Sequence, residues 1–243
     1  AGLTSIGNEA LQNCVSLKEL TFPDGIIFLG ENALGGCTGL TALALPRELT
    51  SIGAYAFKGC SALQSVTMAN NVTSIGYRAF QNCIRLESVT LSSGWNSCPV
   101  HDRYYYGSIF EGCSALTRLE LTEGQVELPR NAFQNAPALR TVILPESLAT
   151  IHDGAFNGCA ALEVLWIDRN TTSISDGAMN NCGMLSIHGY AGTYAETYAD
   201  EHDIPFVPGE LDDYFKGLGG QILSESGAGV SGISVGIYRV EET

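Results

Sequence analysis

Apolar and polar positions return on a 23-residue clock through most of the chain. Cys14, Cys37, Cys60 and Cys83 stand 23 apart; after a 30-residue step come Cys113, Ala136, Cys159 and Cys182, again 23 apart. Counted from each anchor, leucine stands at +3, Leu or Val at +6 and an apolar residue at +8, often with proline at +9. Apolar residues return at +12 and +15, glycine usually at +16, and Ala with a large apolar residue at +19 and +20. In the unit that starts at Cys37 these are Leu40, Leu43, Leu45, Pro46, Leu49, Ile52, Gly53, Ala56 and Phe57. A fixed period of this length means units that cannot bury their faces alone and must stack, so the chain is a solenoid.

Within each unit the L-x-x-L-x-L stretch reads as a short strand with its leucines inward and the residues between them outward. Stacking aligns these strands into a parallel sheet on the concave side. The I-G-x-x-A-F-x-x-C half predicts a tight turn at glycine, then a short helical or 3₁₀ turn along the convex side. Glycine at +16 is expected to hold a conformation costly for other residues, although Pro129, His152 and Ser175 stand there in three units. Seven complete turns follow, with partial ones at both ends. Leu3, Ile6, Gly7, Ala10 and Leu11 occupy the +12, +15, +16, +19 and +20 slots of a unit whose first half is missing, so the chain reads as a segment of a longer protein.

After Leu185 the pattern gives way to a cap, about residues 188–208. Thr193-Tyr194-Ala195-Glu196 reads as a capping box. The helix it opens is expected over 194–202, burying Tyr194, Ala195, Tyr198 and Ala199, before Ile204–Pro208 closes as an extended segment. The solenoid with its cap thus covers 1–208. Residues 209–243 read as an acidic linker and two strands, Gln221–Ser224 and Gly232–Val240. About 35 residues bury no core of their own, so they either pack on the solenoid or, the favoured reading, begin a truncated β module.

Composition changes this picture in two places. The net charge is −14, with 26 acidic against 12 basic residues, which argues against nucleic acid or an anionic membrane surface as partner. No run of 18 apolar residues is present to span a bilayer. Seven of the eight cysteines share one repeat position, which stacks them ~5 Å apart with side-by-side Cβ vectors. Buried free thiols are therefore expected, and Ala136 in the same column fits a packed thiol rather than a bridge. Only Cys98 lies off the clock, as a disulfide partner or a free surface thiol.

The frame C-x-x-L-x-x-L-x-L-P-x-x-L-x-x-I-G-x-x-A-F-x-x-C resembles the BspA-like leucine-rich repeats of bacterial surface proteins, best at Cys37–Phe57, Cys60–Phe80 and Ala136–Phe156. The stretch Gly189–Ala199 resembles the segment that ends many such arrays. The resemblance covers residues 1–208; residues 92–104 and the tail depart from it. It implies an α/β, right-handed leucine-rich-repeat solenoid with adhesion or protein-binding roles, and it offers no catalytic residues.

Candidate chemistry is recognition rather than turnover. The +7 column, on the concave face, runs Thr21, Ala44, Thr67, Thr90, Glu120, Ile143, Trp166, changing from small and hydroxylic to large and apolar. Trp166 beside Ile143 is either an exposed binding anchor or is covered by the cap or the tail. The interrupted repeat carries Trp95, Arg103, Tyr104, Tyr105 and Tyr106, side chains suited to a recognition loop. In the alternative, Tyr105 and Tyr106 fill the +15 and +16 slots and Trp95 lies across the solenoid edge. Cys98-Pro99-Val100-His101 has a metal-like spacing but no second ligand pair, so no metal is expected. The acidic residues Asp200, Glu201, Asp203, Glu210, Asp212 and Asp213 lack the spacing of a calcium loop and read as a solvated face. No nucleophile elbow, paired acids or phosphate-cradling glycines are present, so neither an enzyme nor a cofactor is expected. The reading is a cell-surface or secreted, adhesin-like protein that presents a rigid face to a host or bacterial surface protein or glycan. The alternatives are a structural spacer or the targeting module of a larger surface enzyme.

Overall fold

Residues 2–68, 71–95 and 108–211 are described in the computed structural model of the chain. The repeat folds as two parallel strand columns joined by turns. The longer strands come from the L-x-L positions: β3 (Leu43–Ala44), β5 (Ser65–Thr67), β7 (Ser88–Leu91), β8 (Arg118–Leu121), β10 (Thr141–Ile143), β12 (Val164–Ile167) and β14 (Ser186–Gly189). The short ones come from +14 and +15: β1 (Ser5–Ile6), β2 (Phe28–Leu29), β4 (Ser51–Ile52), β6 (Ser74–Ile75), β9 (Glu127–Leu128), β11 (Thr150–Ile151) and β13 (Ser173–Ile174). A helix, α1 (Tyr194–Glu201), and a last strand, β15 (Phe206–Pro208), follow.

Register follows the clock. Ser5, Phe28, Ser51 and Ser74 pair in sequence in one column, as do Leu43 with Val66 and Val66 with Val89 in the other. Across the 30-residue step, Ser88 still pairs with Arg118 and Leu91 with Leu121, so the longer ladder crosses the insertion without a slip. The longer column runs as two four-stranded ladders, β3-β5-β7-β8 and β10-β12-β14-β15.

Between the columns lies a continuous core. The +20 phenylalanines form a stack, with ring centroids 4.9 Å apart for Phe57–Phe80, 5.5 Å for Phe80–Phe110, 6.2 Å for Phe110–Phe133 and 5.4 Å for Phe133–Phe156. The seven described cysteines are free thiols, and each from Cys37 onward donates to the backbone carbonyl of the +20 residue one turn earlier. These contacts are 3.1–3.3 Å, for example Cys60 Sγ to Leu34 O and Cys159 Sγ to Phe133 O. Burial pushes the Cys60 and Cys159 thiols up to about 12.

The convex return is built of isolated turns rather than helix. Cys37 N–H bonds Leu34 O at 3.2 Å and Leu40 N–H bonds Cys37 O at 3.1 Å, the i→i+3 pattern of a 3₁₀ turn. Extension is blocked by the residue before each anchor, which is left-handed in every unit: Asn13, Gly36, Gly59, Asn82, Gly112, Asn135, Gly158 and Asn181. The amides freed by this break donate to the next turn instead, as Leu34 N–H does to Ala56 O at 2.8 Å and Gly36 N–H to Lys58 O at 2.7 Å.

Glycine at +16 serves space rather than conformation, which corrects the expectation for that column. Gly30, Gly53 and Gly76 are not among the left-handed residues. A Cβ on Gly53 would lie 2.6 Å from the carbonyl carbon of Gly30 and 2.7 Å from Glu31 N. Successive turns touch backbone to backbone here.

The cap departs from expectation in its details. Thr193 is the N-cap of α1 but makes no side-chain cap bond; its hydroxyl donates to Tyr190 O at 2.7 Å. Glu196 reaches back past Thr193 and accepts from Gly192 N–H at 2.6 Å, so the capping box is not formed. Ala195, Tyr198 and Ala199 are buried, whereas Tyr194 is 42% exposed. β15 then pairs with β14, closing the sheet.

Candidate functional site on the outer face of the longer sheet

Side chains alternate across β12: Leu165 and Ile167 enter the core, and Trp166 points to the other face. Register places Ile143 on one side of Trp166 and His188 on the other. Both large residues sit on the outer face, as the +7 column requires. They are not exposed. Ile143 is 2% and Trp166 1% accessible, so of the two readings of this pair the covered one holds.

The cover comes from the cap and the tail. Ile143 and Trp166 form an apolar cluster separate from the main core, with Tyr190 and Leu211 packed against it. The Tyr190 ring meets the Trp166 indole edge-on, centroids 5.8 Å apart at 83°. The Arg169 guanidinium lies 3.9 Å from the Tyr190 ring centroid. Gly209 N–H donates to Gly189 O at 2.9 Å as the last rung of the β14–β15 ladder, and Leu211, two residues on, packs against the cluster. The side-chain hydrogen bond to Tyr190, and then attraction to Tyr190, Asp168 and Glu210, favour the charged form of Arg169.

Polar groups border the cluster. The Ser186 hydroxyl donates to Glu163 O at 2.9 Å and lies 3.0 Å from His188 Nε2. Burial lowers the His188 pKa from its ordinary value. With its proton engaged by a backbone carbonyl, Ser186 is a strand-stabilising hydroxyl, not an activated nucleophile. Val207, the register partner of His188, is 44% exposed and extends the apolar surface toward the sheet edge.

The second candidate group divides. Trp95 is fully buried at the +12 slot of the Cys83 unit, with its ring centroid 6.0 Å from that of Phe133. The Gln125 amide donates to Trp95 O. Its place is in the core, which corrects the expectation of a recognition or edge residue. Arg103, Tyr104, Tyr105 and Tyr106 lie outside the described residues, as do Cys98 and His101. A cleft of about 310 Å³ lined by Ser93, Gly94, Gly124, Gln125, Val126 and Glu127 opens beside Trp95. Among the described residues no three His, Cys, Asp or Glu side chains are grouped as metal ligands, and no helix is long and apolar enough to cross a membrane.

Sequence reasoning missed Tyr190, Arg169 and Leu211 as parts of this site. Tyr190 was visible within the terminating G-Y-A-G segment; Leu211 lies beyond the period and carries no repeat signal.

The family model described as BspA type leucine-rich repeat region matches residues 1–108 and 103–194, most of the chain. The chain belongs to the BspA-type leucine-rich repeat family. Its fold is similar to that of a Treponema pallidum leucine-rich repeat protein, at 21% identity and TM-score 0.52, with 84% of this chain and 79% of that one covered. A leucine-rich repeat protein from Bacteroides ovatus matches at 20% identity and TM-score 0.51, over 85% of this chain and 66% of that one. At these identities the likeness shows the fold alone. A comparison with curated proteins finds no match. For this BspA-type chain the repeat module implies protein interaction, and the outer face of the longer sheet holds the large apolar pair in the +7 column.

Proposed function

We propose that this BspA-type chain is a non-catalytic, adhesin-like binding protein, secreted or held at a bacterial cell surface, that recognises a surface protein or glycan with the outer face of its longer sheet. The observation that carries this is the Ile143–Trp166 cluster. A core needs its large apolar residues inside the solenoid, yet this pair stands on the opposite face. There the same column elsewhere holds Thr21, Ala44, Thr67 and Thr90. Large aromatic anchors on a rigid scaffold carry much of the binding energy at interfaces and cost little to order. Arg103, Tyr104, Tyr105 and Tyr106 are proposed as a second contact, from the loop of the interrupted repeat.

The test is an array of extracellular-matrix proteins, mucins and glycans probed with the full chain, with Trp166→Ala, and with alanine in place of Arg103, Tyr104, Tyr105 and Tyr106. Saturable binding that falls at least about tenfold in Trp166→Ala, with the thermal transition retained, is the expected result. Binding to nothing on the array would sink the adhesin reading and favour a spacer.

A further inference from the structure

The outer-face cluster is already occupied, and its occupant shows what the site takes. Leu211 lies against the Ile143–Trp166 pair beside Tyr190, and Gly209, two residues before it, is hydrogen-bonded to Gly189 O at the end of the β14–β15 ladder. The strand β15 thus delivers an apolar plug, and an aromatic pocket on the outer face of the sheet receives it. Nothing in the repeat requires this contact, because β15 and α1 already close the core beneath it.

We infer that Leu211 is a built-in ligand occupying an apolar peptide-binding site formed by Ile143, Trp166 and Tyr190. The partner it stands in for is a segment that presents a large apolar side chain. The inference rests on the placing of recognition on this face and adds a partner chemistry and a masking device. Masking acts through mass action: a tethered competitor at an effective concentration near ~1 mM weakens any ligand that must displace it. Binding in trans would release the tail.

The experiment uses the full chain labelled with 5-fluorotryptophan, which gives two fluorine resonances. Trp95, deep in the core, is the internal reference. In Leu211→Ser the Trp166 resonance is expected to shift and to broaden with a soluble nitroxide, while the Trp95 resonance stays as in wild type. The peptide Pro-Gly-Glu-Leu-Asp-Asp-Tyr should restore the original Trp166 resonance in Leu211→Ser, and the same peptide with alanine for leucine should not. Any array ligand that uses this face should reach half-saturation on Leu211→Ser at about tenfold lower concentration than on wild type.

The inference is overturned if Trp166 stays shielded in Leu211→Ser, if both tryptophans become accessible together, or if the peptide leaves the spectrum unchanged. A wild-type dimer that dissociates on Leu211→Ser would overturn the intramolecular arrangement, since the tail would then come from a second copy. Array binding that depends on Trp166 but not on Leu211 would remove the masking tail and leave the proposed function standing. Peptide capture without any array ligand would do the reverse.

Discussion

Two repeat positions that look alike in composition impose opposite demands on a side chain. At Gly53 an added Cβ meets the backbone of the preceding turn at 2.6–2.7 Å, and neither partner is a flexible side chain. At Gly59 the same atom meets nothing, but φ is +71°. Gly59→Ala should cost about 1–2 kcal/mol, the ordinary penalty of left-handed backbone. Gly59→Asn should cost less, since asparagine holds this place at residues 13, 82, 135 and 181. Gly53→Ala should cost more than either, because two turns must part to admit it; chemical denaturation of the three variants checks the order. The thiols make a parallel case. With Cys60 and Cys159 pushed up to about 12 and hydrogen-bonded to buried carbonyls, both should resist alkylation in the native state, while exposed Cys14 reacts. Mass spectrometry after a timed iodoacetamide pulse reads this directly. Cys60→Ala should cost about 1 kcal/mol, the worth of one hydrogen bond, since Ala136 already fills that slot in another unit.

At the scale of strands and cap, β14 offers a pH handle. Burial depresses His188 below its ordinary 6.5, so the folded state binds less proton there than the unfolded chain. The sign follows: above the unfolded pKa His188 has no effect on the pH dependence, and stability is lost as pH falls through 6.5 toward the lower folded value. The thermal transition of wild type should therefore fall more steeply between about pH 7 and 5 than that of His188→Asn; equal slopes would refute the assignment. The L-x-L strands, the thiol column and the helix of the cap were legible in the sequence, because each follows from a period or a local signal; the second column at +14 and +15 was not, because two-residue strands carry no alternation to read. The failures have physical reasons. Periodicity places Trp166 on the outer face but is blind to what folds over it, and its cover, Leu211, lies 45 residues on and outside the repeat. Trp95 was read with the insertion it precedes, although its +12 slot is filled by Ile26, Leu49 and Val72 in earlier units. Gly or Asn before every anchor was present in the sequence as a signal for the left-handed break that prevents a convex helix.

Over the whole molecule stability passes from turn to turn, and the cap tests how far it is passed. A solenoid's stability is a sum of unit and neighbour terms, so a turn with one neighbour opens more readily than a turn with two. In the cap Tyr198 ties α1 to the final turn, its hydroxyl shared between Ser175 O and Asp176 O at 3.3 Å each and its ring stacked on His202 at 4.0 Å. Burial pushes this phenol up to about 12, so it stays a donor at any working pH. Hydrogen exchange should accordingly show amides of β12 and β14, each paired on both sides, opening with free energies near the global one. Tyr198→Phe removes one hydrogen bond, shared between two carbonyls, while keeping the ring, at a cost of about 1 kcal/mol. The loss should appear as lowered protection confined to β13, β14 and α1, with the Phe57–Phe133 region unchanged. A uniform drop along the whole stack would instead mean that the solenoid unfolds as one unit and that the cap stabilises every turn equally.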